Sequence, residues 1–224
     1  MSAVKRIINK DIKAINNLNL NEQGIFIEFN ENNILEAYAM IIAPEDSLYF
    51  GGVLYFTINF PKNYPFSPPS LKYMSSCKTR IHPNLYVNGK VCLSILGTWS
   101  GPKWTTVMDI TTILLSIQSL LDKNPLHHEP GQEKNVGLMN NLYNKAITYE
   151  SINSLLIKNY KTPPENFKIF NLHIKNHIED KNKEIFKKIN ENKDIKGSIC
   201  VSFYRINLYI NYESLKKNYE NLIK

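Results

Sequence analysis

The stretch RIHPNLYVNGKVCLSIL, residues 80–96, places a cysteine, Cys92, eight residues after the asparagine that closes a His-Pro-Asn triplet, Asn84. A thiolate is a strong nucleophile and an acyl carrier. A carboxamide is a neutral N–H donor that can steady the oxyanion of a tetrahedral intermediate. The two meet only if the chain reverses between them. Val87-Asn88-Gly89 is a suitable turn, because Asn and Gly tolerate positive φ. The chemistry of such a pair is acyl transfer through a thioester. Two other readings fit the same residues. One is a small buried cysteine after an ordinary loop. The other is a cysteine hydrolase with His82 as base, which needs a group to orient that histidine, and none accompanies it in the sequence.

The elements that must hold these residues come from a chain of 224 residues, enough for one domain with an extension or for two small domains. The hydrophobic fraction of 43% supports a real core, and the charged fraction of 21% is ordinary for a globular protein. No apolar run reaches the roughly 18 residues of a membrane span, and the start, MSAVKRIINKDIKAI, lacks a signal-peptide core. Three scattered cysteines, Cys77, Cys92 and Cys200, form neither a disulfide framework nor the paired spacing of a zinc site. A reducing compartment, cytoplasmic or nuclear, is expected. The net charge of +7 is spread along the chain and interleaved with Asp and Glu. That pattern reads as a solvated basic surface, so neither a nucleic acid nor a membrane is expected as partner.

Residues 3–17 carry Val4, Ile7, Ile8, Ile12 and Ile15 near a 3.6 period and predict an amphipathic helix. Residues 24–29, 34–43, 52–60 and 71–74 read as four antiparallel strands in a meander. PKNYPFSPPS, residues 61–70, is too rich in proline for either periodic structure. Residues 107–121 predict a central buried helix with a broad apolar face. NPLHHEPG, residues 124–131, breaks it. Helical segments are expected at 133–149, 151–160, 167–192, 198–207 and 212–223, with a second break at KTPPEN, residues 161–166.

HPNLYVNGKVCL, the upstream YPFSPP (residues 64–69), and Trp104 followed by LLSIQSLL (residues 114–121) together resemble the ubiquitin-conjugating enzyme family. The resemblance covers about residues 3–150. GKVCLSILGTWSGPKW, with its long gap from cysteine to tryptophan, is most similar to the Z-type branch. The resemblance implies an α/β (α+β) conjugating fold with an N-terminal helix, a four-stranded antiparallel meander and a central helix. It implies a catalytic core at 1–150 and a helical C-terminal extension, 151–224, packed on that core. Cys92 would accept ubiquitin from an activating enzyme and release it to a lysine amine of a protein substrate, assisted by a ligase. Asn84 would stabilise the oxyanion or hold the loop. His82 and Pro83 would be structural, Phe66 a ligase contact, and Lys5 and Arg6 contacts for the activating enzyme, which by the Z-type likeness is a non-standard one. No metal or organic cofactor is implied, since ATP is used upstream. A carrier of another ubiquitin-like modifier and a non-catalytic adaptor of the same fold are the alternatives. The chain departs from the family where Thr105–Met108 replace Ser-Pro-Ala and where Ala43 precedes Pro44. The acidic residue that usually follows the Asn-Pro after the long helix has no direct counterpart.

His127, His128 and Glu129 occupy that stretch. An attacking lysine must lose a proton, and at neutral pH it is almost wholly protonated. A carboxylate or a neutral imidazole can orient it and remove that proton. The three residues are therefore candidates for a lysine gate. The alternative is a solvated glutamate beside histidines that cap the preceding helix.

Overall fold

The structure, a computed structural model, describes residues 2–223. The chain forms two compact units, each interrupted in sequence. One comprises residues 2–41, 54–75 and 84–120; the other comprises 42–53, 76–83 and 121–223.

In the first unit the N-terminal helix spans residues 3–17, with a π-helical stretch, Ile7–Asp11, inside it. The four strands are β1 (Ile25–Asn30), β2 (Asn33–Ile42), β3 (Val53–Asn59) and β4 (Ser70–Tyr73), paired antiparallel in sequence order. The apolar run of β3 is buried at almost every position. The central helix, Ile110–Leu120, buries Ile110, Ile113, Leu114 and Ile117 on one face. It starts later than its apolar period suggests because Asp109 takes the capping position, accepting from the backbone N–H of Thr111 at 3.1 Å. The preceding carbonyls are occupied from the N-terminal helix: Lys10 donates to Val107 O at 2.5 Å and Arg6 to Met108 O at 2.6 Å.

Arg6 is therefore not a surface residue. It is buried, faces Asp11 at 3.6 Å and lies 5.9 Å from the Tyr64 ring centroid. Asp11 accepts from the Tyr64 hydroxyl at 2.5 Å and from the Ile110 N–H at 3.0 Å, and burial raises its carboxyl pKa. Ala3, Arg6, Ile7 and Asp11 are the buried residues of this part of the helix. Of the two expected activating-enzyme contacts, only Lys5 is exposed.

The second unit is mostly helical. One continuous helix runs through residues 138–161, with a π-helical stretch at Asn153–Lys158, where two segments were expected. Helices Asn171–Asp180, Asn182–Glu191 and Tyr212–Glu220 follow. Gly51 (φ +91°) and Gly52 lie against the long helix. A Cβ on Gly51 would come within 2.8 Å of Ile152 Cδ1, and one on Gly52 within 2.8 Å of Leu155 Cβ. Polar contacts from the long helix and from the helix Asn182–Glu191 also hold this segment. Asn159 Nδ2 donates to Val53 O at 2.8 Å. Lys188 Nζ lies within hydrogen-bond distance of Leu48 O, Phe50 O and Ser151 Oγ, at 2.9, 2.8 and 2.9 Å.

One expected helix is a hairpin. Residues 198–207 belong to β5 (Lys196–Val201) and β6 (Ile206–Asn211), paired antiparallel. Ile199, Val201, Ile206 and Ile210 are buried while their neighbours are exposed or half-buried. That alternation is the period of a strand, and β-branched residues suit it. The extension is thus helical with a two-stranded insert. Among the described residues, no helix is long and apolar enough to cross a membrane.

Candidate active site

Residues 84–92 fold into a tight reversal. Tyr86 N–H donates to Lys90 O at 3.0 Å, Gly89 N–H to Tyr86 O at 2.9 Å, and Leu85 bridges Val91. Gly89 adopts φ +96°, which favours glycine, and a Cβ there would meet Lys72 Cγ at 2.7 Å. The Gly89 carbonyl accepts from the Tyr73 N–H of β4 at 2.8 Å, which pins the turn to the sheet. The reversal closes on a reciprocal pair. Cys92 N–H donates to Asn84 O at 2.9 Å, and Asn84 Nδ2 donates to Cys92 O at 2.7 Å. The carboxamide and the thiol-bearing residue therefore meet, as the turn sequence suggested. A carboxamide nitrogen carries two N–H donors, and the Cys92 carbonyl takes one.

Cys92 is only 1% exposed. Beyond it, the Thr98 hydroxyl accepts from Leu93 N–H at 2.9 Å and donates to Val91 O at 2.8 Å, fastening the strand on both sides of the cysteine. Sequence reading passed over Thr98. A threonine six residues beyond a candidate nucleophile is a weak signal, legible only once the loop is seen to return. Trp104 Nε1 donates to Pro65 O at 2.7 Å, with its ring 5.9 Å from Tyr64. That anchors the proline-rich loop, whose Tyr64–Pro65 bond is cis. Phe66, next on this loop, is 75% exposed, so it is a surface residue and not a core aromatic.

His82 and Pro83 are buried in the second unit. The Tyr49 hydroxyl donates to Ile81 O at 2.6 Å, and the Arg80 guanidinium donates to Pro83 O. The His82 ring lies 6.4 Å from Tyr49 and 4.9 Å from His128. This packing suits a histidine that shapes a loop. The three gate candidates have separate partners. His127 Nε2 donates to Asn135 O at 3.0 Å, His128 Nε2 lies 2.9 Å from Asp122 Oδ2, and Glu129 Oε2 accepts from the Tyr204 hydroxyl at 2.6 Å. His128 alone of the three is an imidazole set by a carboxylate, the arrangement that fixes a base's orientation. Asp122 was missed because it sits on the helix side of the Asn-Pro break. Tyr204 was missed because its segment was read as helix. Among the described residues, no three His, Cys, Asp or Glu side chains group as metal ligands.

The model of the family described as ubiquitin-conjugating enzyme matches residues 7–153. This chain belongs to the ubiquitin-conjugating enzyme family. It is 43% identical over 133 residues to ubiquitin-conjugating enzyme E2 Z of Xenopus tropicalis, covering 58% of this chain and 42% of that protein. The human E2 Z is 44% identical over 133 residues, covering 58% and 37%. A Caenorhabditis elegans relative, probable ubiquitin-conjugating enzyme protein 17, is 36% identical over 176 residues, covering 73% of this chain and 24% of its own. The chain thus aligns with about two fifths of the length of these E2 Z relatives.

Proposed function

We propose that this chain carries ubiquitin as a Cys92 thioester and passes it to a lysine amine of a protein substrate. The observation that carries this is the reciprocal Asn84–Cys92 pair, which places a carboxamide donor on the nucleophile's own residue. In charging, the Cys92 thiolate attacks the thioester carbonyl of a loaded activating enzyme. A new C–S bond forms as the old one breaks, and the activating enzyme's thiolate leaves. In discharge, a neutral lysine amine attacks the Cys92 thioester, the amide bond forms, and Cys92 departs as thiolate. Asn84 holds the loop through its bond to the Cys92 carbonyl and steadies the oxyanion of the discharge step. Because Cys92 is 1% exposed, charging requires a displacement that uncovers the sulfur.

His128, set by Asp122, is the member of the His-His-Glu stretch that suits removal of a proton from the incoming amine. Phe66 offers an exposed aromatic for a ligase, and Lys5 an exposed charge for the activating enzyme. Residues 151–224 serve as an extension tied to residues 48–53 through Asn159 and Lys188. Three free thiols suit a reducing, cytoplasmic or nuclear setting.

The test is incubation with activating enzyme, ATP and ubiquitin. The parent should form an adduct lost on reduction. Cys92→Ser should form an oxyester that survives reductant, and Cys77→Ser and Cys200→Ser should charge like the parent. A reductant-sensitive adduct on Cys92→Ser would overturn the assignment.

A further inference from the structure

The hairpin β5–β6 does more than fill space beside the helix Leu138–Ile152. Its reversal, Ser202–Tyr204 with Arg205 at φ +52°, presents Tyr204 at the tip. The Ser202 hydroxyl lies 3.6 Å from the Met139 sulfur, seating the tip on the start of that helix. From there Tyr204 reaches two separate stretches of chain. Its ring lies 4.4 Å from the Arg80 guanidinium, well inside cation–π range. Its hydroxyl donates to Glu129 Oε2 at 2.6 Å. The same Arg80 is gripped on its other sides. Its guanidinium donates to Pro83 O, and its own carbonyl accepts from the Tyr143 hydroxyl at 2.9 Å. Tyr143 is fully buried, with its ring 5.4 Å from that of Tyr204.

We infer that Tyr204 is a positioning residue for the transfer reaction: one aromatic side chain of the extension fixes both the Arg80–Pro83 turn and the His-His-Glu stretch. The Pro83 carbonyl belongs to the peptide bond that leads into Asn84, so holding it orients the plane from which the carboxamide-bearing residue departs. Glu129, engaged by the phenol, is thereby assigned to the frame and not to the incoming lysine. Fixing two stretches through one rigid ring costs little side-chain entropy, because tyrosine has only two χ angles. Small misplacements of a reacting frame carry large rate penalties.

The catalytic half of this inference rests on the proposed function, and the experiment keeps the two apart. Hydrogen–deuterium exchange of residues 79–84 and 124–131 is measured on the full chain, beside charging and single-turnover discharge to free lysine. Tyr204→Leu keeps apolar bulk but removes the ring face and the hydroxyl. It should raise exchange in both stretches and slow discharge by about 10-fold or more, with charging within about twofold of the parent. Tyr204→Phe restores the ring over Arg80. It should recover protection at 79–84 and most of the discharge rate, leaving only 124–131 loosened. Unchanged exchange in Tyr204→Leu would overturn the inference. So would equal loss of charging and discharge with exchange raised throughout 196–211, since Tyr204 would then be hairpin packing alone. If the parent itself fails to charge, the proposed function falls, while the exchange measurement still decides whether Tyr204 ties the two stretches.

Discussion

Asn84→Ala separates the two jobs proposed for one side chain. The bond from Asn84 Nδ2 to Cys92 O is 2.7 Å long and buried. Removing the donor leaves the carbonyl of a nearly inaccessible residue without it, at a cost of about 1–3 kcal/mol. In a chain of this size each kcal/mol lowers the melting temperature by about 2–4 °C, so a fall of about 2–12 °C is expected. The second job acts on rate. Loss of one oxyanion donor typically slows reaction ~10²–10³-fold. The assay follows the reducible adduct for charging, then single-turnover discharge to free lysine, with thermal unfolding on the same samples. The expected result is a lower melting temperature, near-normal charging and discharge slowed by about 100-fold or more. Charging can be spared because the activating enzyme supplies much of that step's geometry. An unchanged melting temperature would refute the loop bond, and discharge at the parent rate would refute the donor role. An equal loss of both steps would leave Asn84 as a loop residue only.

Phe66→Ala should shift stability by less than about 0.5 kcal/mol, as for other surface changes, and not by the roughly 3–5 kcal/mol of a core phenylalanine; chemical unfolding reads this, and ligase-stimulated discharge should fall while intrinsic discharge holds. His128→Ala should slow single-turnover discharge to free lysine while charging holds, and Asp122→Asn should slow discharge by displacing that ring. Glu129→Gln, which can still accept from the Tyr204 hydroxyl, should discharge close to the parent rate, and parent-like discharge by His128→Ala would exclude that residue as the gate. Burial pulls the Lys188 ammonium from its ordinary 10.5 down to about 7. Above pH 7 the folded state has released this proton while the unfolded chain still holds it, so the unfolded state binds more protons. Stability therefore gains up to about 1.4 kcal/mol per pH unit from Lys188 between pH 7 and 10.5. Lys188→Met should lose that increment in denaturant melts, and an identical pH slope in parent and variant would refute it.

Much of the catalytic half was legible because its signals are local. Asn84 and Cys92 are eight residues apart, and the Asn-Gly turn between them sets the reversal. The strands of the meander and the central helix announce themselves by period, with end shifts of a few residues where a cap such as Asp109 intervenes. The hairpin at 196–211 also has a period, but its alternating Ile and Val are set among lysines and asparagines that a helical reading absorbs equally well. The partner strand settles the choice, by giving the backbone N–H and C=O groups their hydrogen bonds.

The sequence by itself determined the nucleophile candidate, its carboxamide neighbour, the order of elements and the family likeness, since each depends on residue type and short separation. Tertiary structure alone decided which polar side chains face inward. Arg6 reads as the polar face of a helix, yet Asp11, Tyr64 and the Met108 carbonyl claim it. Phe66 reads as core or surface until the structure leaves its side chain exposed. Glu129 reads as loop until Tyr204, 75 residues on, reaches its carboxylate. A hydrogen bond or ion pair between distant residues leaves no periodic trace in the chain. It exists only when folding brings donor and acceptor together out of water, and there it becomes strong enough to fix a side chain.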